Sequence, residues 1–338
     1  MDDIATTQRL VQDNQTDSYG VFGEVTVDIT DQTGLLVGGR YSYDKKEYFG
    51  ITDAEGPLAF LFLDAGRVEA GIGDHWDDFS GKISLTHHFS DNIMAYGSLA
   101  TGYKSGAFNA EPSSADAVNA VDPEYVTTYE AGMKMDLLRD SLRLNLTLFQ
   151  SDYEDIQSTF VNQQAVAVAA NVGEAEIKGY EVEGQAYFTP NLYLQFAFAD
   201  YEHEYTDFSR GEGDSGVDVA GNPVQNAPDW TATVALNYDI VLSSGAEITL
   251  RGDYRGTGEI ATYFDETSPQ SIRPSVAVFN ATVKYTAANA RWSTAIWGRN
   301  LGNEEEVVTI GPKVALFDGR SRAYGPPRTY GLTLEYSF

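Results

Sequence analysis

Cysteine is absent from the 338-residue chain. Disulfide frameworks, thiolate zinc sites and thiol nucleophiles are therefore excluded. Cationic side chains are scarce: 22 Lys and Arg stand against 50 Asp and Glu, a formal charge of −28. A phosphate backbone is gripped by clustered Lys and Arg, so nucleic acid is excluded as a partner. Apolar runs of about 18 residues or more are missing as well, which rules out helical membrane spans and leaves strand-built ones open. The opening MDDIATTQRL has neither a basic stretch nor an apolar core and is no secretory signal. If exported, the chain is expected to be a mature form or a fragment.

What is plentiful is Gly (32), Tyr (21), Phe (17) and Thr, the vocabulary of strands and tight turns. Alternation is the main signal. In AEITLRGDYRG the residues Ala246, Ile248, Leu250, Gly252 and Tyr254 share one face, and Glu247, Thr249, Arg251, Asp253 and Arg255 the other. The pattern recurs in WTATVALNY, YGVFGEVTVDI, LRLNLTLFQ, GYEVEGQAYF and LYLQFAF. About thirteen such segments begin near residues 16, 34, 76, 92, 123, 140, 172, 191, 226, 245, 275, 290 and 327. Connections alternate in length: short turns such as TDQTG, SDN, LRDS, TPN and AAN interleave with long loops at 51–74, 107–122, 156–171, 207–225, 261–274 and 302–326. Tight turns at one end and long loops at the other predict an all-β, antiparallel transmembrane barrel; an odd number of strands cannot close on itself antiparallel, so about thirteen of them are expected to form a partial barrel, an open, curled sheet.

A soluble sandwich or propeller also alternates apolar and polar residues. Strand length and terminal aromatics favour the barrel, because they match a tilted span ending in interfacial girdles. The apolar face carries no charge in the middle of the clear segments, whereas Glu130, Lys134, Arg251, Asp253, Arg255 and Arg299 lie on the opposite face and are expected to line a lumen. No nucleophile, base and acid set can be assembled, so no catalytic, cofactor or metal residues are expected and the chain is read as no enzyme. His87 and His88 are adjacent and point to opposite faces, EHE at 202–204 reads as a solvated rim, and GEGDSGVDVAGN lacks the ligand spacing of a calcium loop. TGYKSGAFN lacks the spacing of a phosphate loop.

The pieces LLVGGRYSYDKKEY, MAYGSLATGYKSGAFN, TTYEAGMKMDLL, NLTLFQSDYEDIQ, EAEIKGYEVEGQAYF, NAPDWTATVALNY, WGRNLGNEEE and PPRTYGLTLEYSF follow one another in this order. Together they resemble the barrel domain of TonB-dependent outer-membrane receptors, from about residue 16 to 338. The resemblance implies a place in the outer membrane of a Gram-negative bacterium and active import of a ferric siderophore or a similarly scarce solute. It implies as partners outer-membrane lipid, the TonB complex acting through a plug domain, the barrel assembly machinery and the imported solute. It also gives the last strand a role: Tyr330, Leu332, Leu334, Tyr336 and Phe338 take the place of the signal read by that machinery. Aromatics of the long loops, Phe60, Phe62, Trp76, Phe108, Tyr263 and Phe264, take the place of ligand contacts. Nothing in the sequence reads as a plug, a TonB box or the first strands of the barrel, so residues 1–15 are expected to be an extracellular loop remnant and 16–338 the C-terminal part of the barrel. A passive porin or autotransporter-type barrel is the alternative, and a soluble glycan-binding β-domain is a third reading.

Overall fold

The structure, a computed structural model, describes residues 7–56, 67–108, 118–161, 167–208, 219–263, 269–311 and 319–338, and among these there is no helix. The strands in chain order are β1 (Thr7–Thr30), β2 (Thr33–Glu55), β3 (Arg67–Ser90), β4 (Ile93–Lys104), β5 (Ala107–Phe108), β6 (Ala120–Val121) and β7 (Glu124–Leu137). Next come β8 (Leu142–Glu154), β9 (Gln157–Val161), β10 (Ala167–Asn171), β11 (Gly173–Thr189), β12 (Leu192–Phe208), β13 (Trp230–Val241) and β14 (Glu247–Thr257). The last are β15 (Ile260–Ala261), β16 (Ile272–Arg273), β17 (Val276–Thr286), β18 (Trp292–Arg299), β19 (Val307–Ile310), β20 (Arg322–Tyr324) and β21 (Thr329–Tyr336).

Thirteen strands form one sheet in the order β1-β2-β3-β4-β7-β8-β11-β12-β13-β14-β17-β18-β21, each hydrogen-bonded to its sequence neighbour within that order. The order follows from hairpins closed by short turns, and the pairings between neighbours within the sheet are antiparallel. Among the described residues the sheet is not closed: β1 pairs only with β2, and β21 only with β18. The remaining eight strands make four small hairpins inside the long loops, which local periodicity did not announce.

One face of this sheet has nothing packed on it. Leu148 is 64% exposed, Ile296 65%, Leu332 64% and Leu334 74%. Register brings such residues side by side, as in Val25 opposite Val37, Leu146 opposite Val182 and Ile296 opposite Leu332. An apolar band of this extent on a water-soluble protein would associate or aggregate, whereas hydrocarbon solvates it. The band runs from Phe79 to Phe89 on β3 and from Tyr180 to Phe188 on β11, the roughly 9–11 residues that a tilted strand needs to cross a bilayer core.

Toward the long loops the same face turns polar along a line. Asp17 pairs with Lys45 and Tyr43 with Asp77, and farther round the sheet Gln150 faces Lys178, which faces Glu202. Lys45 binds Glu47 at 2.6 Å, and Lys178 binds Glu176 at 3.0 Å and Glu202 at 3.5 Å. Just below the line sit aromatic pairs, Tyr19 with Tyr43 (centroids 6.5 Å apart) and Tyr180 with Phe198 (5.9 Å). Aromatic rings at the level where lipid gives way to water are the girdle of a membrane barrel.

Strand boundaries follow the sequence reading closely except at two places. β1 begins at Thr7 and β3 at Arg67, each nine residues before the expected start, so the stretch expected as loop up to residue 15 is strand from Thr7 onward. Beyond the polar line both faces of β1 are exposed, so alternation disappears while backbone pairing continues from Asp17 opposite Lys45 to Thr7 opposite Glu55. The three strands therefore stand above β4, whose register places Ala100 opposite Lys82 and which stops at Lys104, by about 35 Å of strand at roughly 3.3 Å per residue.

Among the short turns, LRDS is strained: Leu138, Arg139 and Asp140 have φ of 54°, 58° and 66°. Left-handed conformations cost non-glycine residues about 1–2 kcal/mol each. Ser141 Oγ donating to Leu138 O (2.8 Å) and Asn92 Nδ2 donating to Asp136 O (3.3 Å) help to hold the turn.

Candidate functional site at the mouth of the sheet

The inner face is polar because every second residue of each strand points away from the apolar band. Register places the expected lumen residues there. Lys134 Nζ lies 5.9 Å from the Tyr96 ring, and Glu130 is on the same face of β7. Arg251 donates to Asp253 (2.8 Å) and to Asn237 (3.3 Å). Arg255 grips Glu306 of the β18–β21 connection through two bonds of 2.9 and 2.8 Å, and Arg299 lies over the Trp297 ring at 5.4 Å. These contacts stitch the wall to itself and to one loop.

Of the aromatics expected at the mouth, Phe60, Phe62 and Phe264 lie outside the described residues. Trp76 is only 8% exposed and packs on Phe108 with ring centroids 5.6 Å apart. Lys46 Nζ lies 5.8 Å from the Trp76 ring and donates to Gly106 O at 2.7 Å. Gly106 leaves no room for a β-carbon, which would overlap the indole. The pair thus anchors the β4–β7 loop to the inner side of the tall strands. Tyr263 donates to Ile310 O (3.0 Å) beneath the Arg320 guanidinium, 4.4 Å from the ring centroid, and so joins the β14–β17 and β18–β21 loops. Trp76 with Phe108 and Tyr263 with Arg320 are two separate loop anchors.

Beside Trp76 lies a charged cluster that sequence reasoning missed. Asp44 accepts from the hydroxyls of Ser18 and Tyr103. Burial tends to raise its carboxyl, but these bonds and the charges of Lys46 and Arg40 outweigh it and hold Asp44 below the usual carboxylate range. Burial lowers Lys46, and Lys104 pushes it the same way against the pull of Asp44. Tyr103 is raised, first by burial and then by its bond to Asp44.

A second missed group ties two loops together. Asn171 Nδ2 donates to Asp122 O (2.9 Å) and Asp155 O (2.7 Å), while its Oδ1 accepts from Asp122 N–H (2.8 Å). Gln157 Nε2 donates to Ser105 O (3.0 Å) and Asp122 O (2.8 Å). Partners this far apart in sequence leave no local signal. Glu202, His203 and Glu204 were expected as a solvated rim; the structure corrects this for His203, which is buried beneath the segment 219–229. No group of three or more His, Cys, Asp or Glu able to hold a metal ion occurs among the described residues.

On the last strand, Tyr330, Leu332, Leu334 and Tyr336 all lie exposed on the apolar face. Phe338 stands past the end of β21, its ring edge-on to Tyr336 at 5.1 Å. Gly331 leaves the space that the Trp297 indole occupies on the inner face.

Residues 2–301 match the model of a family described as TonB dependent receptor-like, beta-barrel. The probable TonB-dependent siderophore receptor PiuA of Acinetobacter baumannii is 26% identical over 234 residues, covering 64% of this chain and 31% of that protein. The crystal structure of the ferric yersiniabactin uptake receptor FyuA from Yersinia pestis superposes with a TM-score of 0.82 at 19% identity, over 98% of this chain and 47% of that one. The copper transporter OprC superposes at 0.69 with 16% identity, over 96% and 50%. The chain thus spans about a third of the length of the curated relatives it matches and about half of the solved chains.

Proposed function

Because the chain belongs to the TonB-dependent receptor-like β-barrel family, we propose that it supplies the C-terminal part of the barrel of an outer-membrane receptor that takes up a ferric siderophore. In this reading the part of β1 before residue 16 stands on the extracellular side and residues 16–338 supply the rest of the barrel. The activity is transport and not catalysis. The long-loop end faces outward and receives the solute, and the polar inner wall borders its path once a TonB-driven plug domain moves. Tyr330, Leu332, Leu334, Tyr336 and Phe338 serve the assembly machinery before they meet lipid. Ligand contacts come from the mouth, from Phe60, Phe62 and Phe264 together with the Trp76–Phe108 pair that holds the β4–β7 loop and Tyr263 that holds the β14–β17 loop.

The observation that carries this reading is the division of one continuous sheet into an apolar outer band, a polar inner face and a loop-rich end. Siderophore is the solute chosen because PiuA is named a probable siderophore receptor and FyuA a ferric yersiniabactin uptake receptor, and copper is the competing solute that OprC brings.

The test is uptake by cells carrying the natural full-length protein, with radiolabelled ferric siderophore in one arm and labelled copper in the other. Uptake of iron that stops when TonB is deleted is the expected result. Persistence without TonB would replace the receptor by a passive porin, and copper uptake alone would change the cargo.

A further inference from the structure

β12 outruns its neighbour at the mouth. Pairing with β13 ends at Asp200 opposite Trp230, so the strand from Tyr201 to Phe208 has a free side. The segment 219–229 fills it. Gly221 N–H donates to Tyr205 O (2.8 Å), Tyr205 N–H to Asn222 O (3.0 Å) and Tyr201 N–H to Asp229 O (2.8 Å). Beneath, Val219 and Val172 are fully buried against Ala175 and Tyr205.

His203 points into the same space with a side chain only 2% exposed. Its Nδ1 accepts the Val224 N–H at 3.1 Å. A nitrogen that accepts carries no proton, so the neutral ring has its hydrogen on Nε2. That Nε2 has no hydrogen-bond partner and lies 3.6 Å from Asp229 Oδ1. A metal at Nε2 would force the hydrogen onto Nδ1, against the Val224 N–H, so this arrangement does not suit metal binding.

We propose that His203 is a proton-operated catch: neutral, it holds Val224 and with it the segment 219–229; protonated, it lets Val224 go and turns toward Asp229. The step is the addition of one proton to Nδ1. Two N–H groups then face each other where a hydrogen bond stood, while the charged Nε2–H gains a carboxylate within reach. Among the described residues around the ring, Asp229 is the carboxylate within reach of Nε2. On β12 itself, Tyr201 and Tyr205 share its face. Burial raises the Tyr205 phenol, which therefore stays neutral. On β11 the facing residues Ala175, Ile177 and Gly179 carry no charge, and beyond them β8 offers Ser151 and Tyr153. Glu124 of β7 acts on Tyr205. The bond logic does not depend on which solute is carried; it rests on the proposed function only in taking this end to face the external medium, where acidity varies.

Amide exchange of segment 219–229 in the natural full-length protein, corrected for intrinsic rates, tests the catch at about pH 7.5 and about pH 5.5. Wild type is expected to lose protection by about tenfold on acidification, the worth of one backbone-to-ring hydrogen bond. His203→Asn puts a non-titrating acceptor near the place of Nδ1 and should stay protected at both values. Asp229→Asn keeps the Val224 bond, removes the counter-charge and should move the transition to lower pH. Equal loosening in His203→Asn, no loosening in wild type, or an unmoved transition in Asp229→Asn would each overturn the proposal. Because the last comparison does not use the His203→Asn protein, it decides even if that variant fails to fold. Ligand uptake is not read, so failure here leaves the transport reading standing.

Discussion

The same strands lead two different lives below and above the polar line. Below it, Leu146, Leu148, Tyr180 and Phe198 point outward from a single layer, and cohesion comes from backbone ladders with lipid supplying the apolar contact. Above it there is no lipid to help, and the chain builds small cores of its own: Trp76 against Phe108, and Val172, Val219 and Tyr205 with Ala175. Asp44 and Asn171 add side-chain hydrogen bonds between the segments of that upper region. Solvent, more than strand propensity, decides which rule a segment obeys.

Three perturbations sharpen the contrast. The largest is Trp76→Ala, which removes a buried aromatic from the upper region and should cost roughly 3–5 kcal/mol there. Amide exchange should rise across 103–108 while the strands below the line keep their protection; a uniform loss would mean that the two regions are one cooperative unit. Next is an arginine scan across the line. Leu146→Arg places a cation in the apolar band and should cost about 2–4 kcal/mol in lipid-vesicle unfolding, whereas Gln150→Arg, on the same face of β8 and above the line, should cost about 0–1 kcal/mol. Equal costs would erase the boundary. The smallest effect concerns acid. Asp44 is held below its ordinary value of 3.8 by its partners, so the stability it adds to the upper region is present above that value and is lost as pH falls through its lower folded-state value. Asp44→Asn should flatten that acid limb of the exchange protection around Tyr103, and an unchanged limb would assign it to another group.

The lower region was legible in the sequence and the upper was not, for one reason. A strand between lipid and a polar interior must alternate, and LRLNLTLFQ or LYLQFAF shows this locally, so β8 and β12 start within two residues of their expected positions. Above the line both faces admit polar residues, and TQRLVQDNQT carries no period although it pairs residue by residue with β2 as far as Glu55. The mouth was hidden more deeply. Asp44 meets Tyr103 across 59 positions and Asn171 meets Asp122 across 49. Such meetings depend on register through intervening strands, which no window of about ten residues contains. Trp76 was singled out as a ligand contact for its aromaticity, and the structure places it, 8% exposed, as an anchor for the β4–β7 loop.

The overhang of β1, β2 and β3 makes the rim of the sheet uneven. A ladder that runs about 35 Å of strand past the end of β4 turns one side of this end into a parapet, so the inner face is sheltered along β1–β3 and not along β4.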